Sequence, residues 1–127
     1  AVYGLDHVVE VFRITLEAEK RKIMIANKVE TELLLRLACT DQISEAIKRA
    51  GLKKDEPGCF IAISQNNAAL QQFVSFIKDN FGTDDSVIGQ SNEKQINLSR
   101  MLGISTGRFN EFEFLQYLVE RAAILVK

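Results

Sequence analysis

The side chains able to do chemistry are few and do not converge. The chain has one histidine, His7, at the start of a helical pattern with no nucleophile near it in sequence. A surface or helix-capping role is expected for it. The two cysteines, Cys39 and Cys59, lie far apart in apolar segments and form no CxxC. Cys39 has no basic neighbour in sequence closer than Arg36. A reactive thiolate needs an electropositive, partly open setting, so two buried reduced thiols are expected. Asp84 and Asp85 could share a cation, but adjacent acids in a turn chiefly cap and solvate. The glycine-bearing stretch GISTGR, Gly103–Arg108, lacks the spacing of a phosphate loop and has no strong strand before it. No GxGxxG follows a strand. Nucleophile–base pairs, paired carboxylates and metal sets are the usual machinery of catalysis. With none of them evident, the chain reads as a binding protein, not an enzyme, with no metal and no cofactor.

The polar chemistry that does gather lies along NKVETELLLRLACTDQISEAIKRAGLKK, Asn27 to Lys54. It reads as two short helices joined by a tight break. In the second, Ile43, Ala46, Ile47 and Ala50 recur at helical spacing along one face. Asp41 is placed to cap its first turn, and Glu45 adds favourable charge there. Lys48 and Arg49 suit its last turn, and Gly51 follows where a left-handed residue is expected. Lys53 and Lys54 extend the positive patch. The first half, Leu33–Leu37, admits a buried strand with Arg36 pointing out of it. A helix is favoured, because leucine is not β-branched, Asn27 and Glu30 resemble a capping box, and Glu32 and Arg36 form an i, i+4 pair.

The remaining elements follow in order. Ala1–Leu5 is apolar and expected to be extended. Asp6 caps a helix to about Lys22, with Val8, Val9, Phe12 and Leu16 on its apolar face; Glu17–Lys22 is a solvated end. Pro57 and Gly58 mark the clearest loop. Cys59–Ser64, CFIAIS, is the best strand in the chain, and its continuous apolar character predicts burial within a sheet. Asn66 or Asn67 caps a helix to about Asn80 with Leu70, Phe73, Val74 and Ile77 inward. Val87–Ile88 reads as an edge strand. Asn92 and Gln95 signal a helix to Leu102, with Ile96, Met101 and Leu102 on its inner side. The last helix runs from about Asn110 to Val126. Leu115, Leu118, Ala122 and Leu125 make one stripe; Phe112, Val119, Ala123 and Val126 make a second. Phe114 and Tyr117 occupy a third side. That excess of apolar surface predicts either a central core helix or a partner surface.

Length and composition fit one domain spanning 1–127: 127 residues, 46% hydrophobic, 26% charged. The net charge of −1 argues against a general nucleic-acid coat protein while leaving room for a local basic patch. No apolar run is long enough to span a membrane. The chain's start shows no signal-peptide pattern. A cytoplasmic protein is expected.

The helix–break–helix segment carries a resemblance. TELLLRLACT, then Gln42-Ile43 with Ala46-Ile47 and Gly51, resembles the signature of the small non-catalytic subunit of KEOPS, the archaeal counterpart of the PRPK-binding protein. Cys59–Ser64, the helix from Asn92 and the apolar last helix extend the likeness over most of the chain. The resemblance implies a subunit of the complex that makes threonylcarbamoyl-adenosine in tRNA. It implies docking on the amino-terminal lobe of the kinase-like ATPase subunit and holding of the single-stranded 3′ CCA end of tRNA. A single-stranded end needs a few cations, stacking surface and exposed donors, which points to Arg36, Gln42, Lys48 and Arg49; the carboxylate of Asp41 opposes an anion there. Aromatics beside an arginine are common interface anchors, which points to Phe112, Phe114, Tyr117 and Arg121 for the kinase. No membrane and no small-molecule cofactor are implied. Family members usually begin with one or two strands ahead of the segment matching Asp6–Lys22, and these are expected to be absent here.

The fold class expected is α/β (α+β), a mostly helical domain around a small mixed sheet that lacks the first family strands. Two other functions fit the residues. One is a small-molecule-binding α/β domain with its pocket near Gln65, Asn66 and Asn67. The other is a self-associating helical module that exposes the last helix.

Overall fold

A computed structural model of the chain describes residues 2–105 and 107–125. The described residues form six α-helices and one 3-10 turn, without a strand. The helices are α1 (Leu5–Lys20), α2 (Val29–Ala38), α3 (Ile43–Ala50), α4 (Asn67–Asn80), α5 (Asn92–Leu102) and α6 (Glu111–Ala123); the 3-10 turn spans Asp85–Ile88. The expected mixed sheet is therefore corrected to an all-helical fold. Cys59–Ser64 is strand-like in composition, but among the described residues it pairs with no other segment, and Phe60, Ile61 and Ile63 are exposed rather than buried. An isolated extended stretch cannot form a ladder. The expected edge strand at Val87–Ile88 is taken up by the 3-10 turn, because the Asp84 carboxylate accepts from the Ser86 N–H at 3.0 Å and caps it.

The centre is α1, α2 and α6, each packed on the other two, with α3 laid against α2 and α5 against α6. Val11, Leu33, Leu37 and Ala122 fill the space between the three central helices. Tyr3, Cys39, Leu98, Phe114 and Leu118 form the neighbouring cluster, where the Tyr3 and Phe114 rings meet edge to face at 5.0 Å. Leu35, Ala38 and Ala46 hold α3 to α2. α4 contributes no buried residue. Its Phe73 and the following Phe81 instead contact Phe60 of the extended segment.

Local signals set most helix boundaries. Asn66 caps α4, accepting from the N–H groups of Ala68 and Ala69. Asn110 and Glu113 form a reciprocal capping box on α6. Elsewhere the caps differ from expectation. Ser91 caps α5 in place of Asn92. Neither Asn27 nor Asp41 caps a helix; Asp41 accepts from the Gln42 amide instead. Gly51 has φ −67° rather than a left-handed conformation. The left-handed position falls on Cys39, at φ 55°, which ends α2 and makes the tight break before α3. On α1, Val9 and Leu16 face outward while His7, Val8, Val11, Thr15 and Ala18 are buried. On α6 the buried stripe is Phe114, Leu118 and Ala122. Val126, expected on the second stripe, and Thr106 of the GISTGR loop lie outside the described residues.

Candidate functional site

The break between α2 and α3 is built by arginines that satisfy backbone carbonyls. Helix ends leave their last carbonyls unpaired, and at the end of α2 two guanidiniums fill them. Arg49 Nη1 donates to Ala38 O at 3.2 Å while its Nε holds Glu45 at 2.9 Å. Arg121 Nη2 donates to Cys39 O at 3.4 Å, and its Nη1 donates to the Tyr117 hydroxyl at 2.8 Å. Arg121 therefore joins α6 to the corner, and the two sets of residues anticipated from sequence meet there.

Around Arg121 runs a stack. Its guanidinium lies 5.7 Å from the Tyr117 ring centre, Tyr117 stacks on Phe109 at 5.1 Å, and Arg108 lies 5.1 Å from the Phe109 ring centre. Arginine over an aromatic face is attractive through the ring quadrupole. Phe109 and Arg108 were not anticipated as site residues, because they fall in a loop. Their signal was the aromatic set one helix turn and a loop ahead of Tyr117. Phe112 is 66% exposed on the same helix.

Two anticipated surface residues are inside. Arg36 is 1% exposed and Glu32 0%. The Glu32 carboxylate accepts from Arg36 Nε and Nη2 at 3.1 and 2.9 Å and from the N–H groups of Ile25 and Ala26 at 3.1 and 2.7 Å. Arg36 Nη1 reaches Ala122 O at 2.6 Å. Arg36 is thus the joint of α2, α6 and the link before α2, with no donor turned to a phosphate. Phe114 is 0% exposed and anchors α6 from within. Of the two sets, Gln42 at the corner, Lys48 in the last turn of α3 and Phe112 on α6 are exposed, while Tyr117 and Arg121 are half-buried. Arg49 is half-buried and committed to Glu45 and Ala38.

His7 is buried rather than on the surface. Its Nδ1 accepts from the Tyr3 N–H at 3.0 Å, so Nε2 carries the proton, and Nε2 has no partner among the described residues. Burial pushes its pKa down to about 4. Burial also pushes the Cys39 thiol up, against the pull of Arg121 and Arg49. That is the opposite of what activates a thiol. Cys39 is buried and Cys59 half-buried, both as free thiols. Among the described residues, no three His, Cys, Asp or Glu side chains gather closely enough to hold a metal. No described helix is long and apolar enough to cross a membrane.

A groove of about 1070 Å³ runs between α2–α3 and α5, with Leu34, Leu37, Lys48, Ile61, Ser86 and Lys94 among its walls. Its volume lies at the upper end of ordinary small-ligand pockets. Gln65, Asn66 and Asn67 do not line it, and the Asn66 side chain is spent as a cap.

The chain belongs to the family described as kinase binding protein CGI-121, whose model matches residues 1–102. That match covers α1 to α5 and stops where α5 ends. Among curated proteins and among solved structures, nothing matches the chain.

Proposed function

We propose that this chain is a non-catalytic subunit of a KEOPS-type complex in the cytoplasm. There it docks on the kinase-like ATPase subunit and helps present tRNA by its 3′ CCA end for threonylcarbamoyl-adenosine formation. Membership of a kinase-binding family is the observation that carries the reading. The docking surface is α6, where Phe112 is exposed on one side and Tyr117 and Arg121 stack with Phe109 and Arg108 on another. Supporting it, aromatic and arginine side chains are stacked on one another there, and such residues are common interface anchors. The tRNA contact is the neighbouring corner, where Gln42 and Lys48 are exposed.

Paired variants test the two contacts. Phe112→Asp is expected to reduce co-purification with the kinase-like subunit at least about tenfold, as for an interface anchor, with helical circular dichroism unchanged. Lys48→Glu is expected to weaken binding of fluorescent tRNA at fixed salt without affecting the kinase contact. Trimming the CCA end should remove the Lys48-dependent part. Full kinase binding by Phe112→Asp would refute the α6 docking face. Equal binding of intact and trimmed tRNA would refute the CCA contact.

A further inference from the structure

Lys94 lies in the first turn of α5, and its side chain runs back over the 3-10 turn. Its ammonium donates to the carbonyls of Ser86 at 2.8 Å, Val87 at 2.6 Å and Gly89 at 2.6 Å. An ammonium has three donors and no acceptor, so every donor of Lys94 is used on one short segment. Charge-assisted bonds of this length are among the stronger hydrogen bonds. The other ties on the segment are short-range: the Asp84 carboxylate caps it through the Ser86 N–H at 3.0 Å. Backbone bonds from Val87 N–H to Asp84 O and from Gly89 N–H to Ser86 O measure 3.2 and 3.1 Å. No residue of Asp85–Ile88 is buried.

The segment touches two places that matter. Its end lies on Gly4, just ahead of α1; a Cβ added there would come 2.7 Å from Gln90 Cγ and 3.3 Å from Ile88 O. Asp84, Ser86, Val87 and Lys94 also wall the groove that Cys59 and Ile61 line. A strap tied by one ammonium along a groove of mixed apolar and charged walls is a local, releasable closure.

We propose that Lys94 is the latch of a strap, residues 84–90, that closes one side of the groove, and that loss of its ammonium releases the strap and opens the groove. This goes beyond the kinase-binding reading and does not depend on it. The latch requires both charge and reach. Cys59 lines the same groove, and its free, half-buried thiol supplies an internal reporter.

Lys94→Met keeps the aliphatic stem and removes all three donors; Lys94→Arg keeps the charge. Millisecond hydrogen exchange on the whole chain is expected to show the Val87 and Gly89 amides exchanging about tenfold or more faster in Lys94→Met. α2 amides should be unchanged, and most strap protection should be retained in Lys94→Arg. A thiol reagent should label Cys59 faster in Lys94→Met than in the wild type, with Cys39 silent in both. Strap exchange within about twofold of wild type would overturn the proposal. So would α2 losing protection in step with the strap, since Lys94 would then hold the whole fold. Unchanged Cys59 labelling beside an open strap would overturn the link to the groove.

Discussion

Arg36→Met removes one half of a buried ion pair while keeping most of the stem. Arg36 is 1% exposed and Glu32 is fully buried. In the variant, the Glu32 carboxylate keeps the N–H groups of Ile25 and Ala26 but loses its countercharge, and Ala122 O loses its donor. An uncompensated buried charge costs about 3–5 kcal/mol. Set against a total stability of about 5–15 kcal/mol for a domain, that is a large fraction. The urea midpoint should fall accordingly, with an m-value close to that of the wild type. Adding Glu32→Gln to Arg36→Met removes the stranded charge and keeps an acceptor for the link. The double variant should regain roughly 1–2 kcal/mol over the single one, because the pair is destabilising mainly when only half of it is present. A cost below about 1 kcal/mol for Arg36→Met would refute the reasoning, since exposed ion pairs are worth no more than that. So would a variant of wild-type stability that had lost affinity for tRNA, which would return Arg36 to the surface.

Two further outcomes follow from the same structure. His7 is held neutral, with a folded pKa of about 4 against 6.5 for the free side chain. Its contribution is whole above about pH 6.5 and is lost as pH falls through 4. The loss approaches about 3 kcal/mol, and His7→Gln should flatten that part of a stability-against-pH curve; an equally steep curve in the variant would clear His7 of the effect. Gly103 ends α5 at φ 71°, and an added Cβ would meet nothing within 4 Å. Gly103→Ala should therefore cost about 1 kcal/mol through the backbone alone, read as a lower urea midpoint; a neutral result would mean the left-handed turn is not required.

Helix placement was readable because its signals are local. Asn66 caps α4 and Asn110 with Glu113 starts α6 within a few residues of where periodicity put them. The pair of Glu32 and Arg36 was likewise visible as an i, i+4 spacing. Its burial was not, because that depends on Ala122, 86 positions away. The same limit applies to α6, whose sequence is apolar nearly all round. Spacing alone could not say that Phe114 would be the buried side and Phe112 the exposed one.

The amino-acid sequence by itself determined where the helices run, that no catalytic set was evident, and the family likeness carried by the α2–α3 segment. Tertiary structure decided the rest. Cys59–Ser64 has strand composition but no partner to pair with among the described residues, since pairing is a property of two segments and not of one. The placement of Arg36 inside and of Arg121 against Cys39 was likewise settled by packing, because satisfying a helix end's carbonyls depends on which distant side chain the fold brings to it.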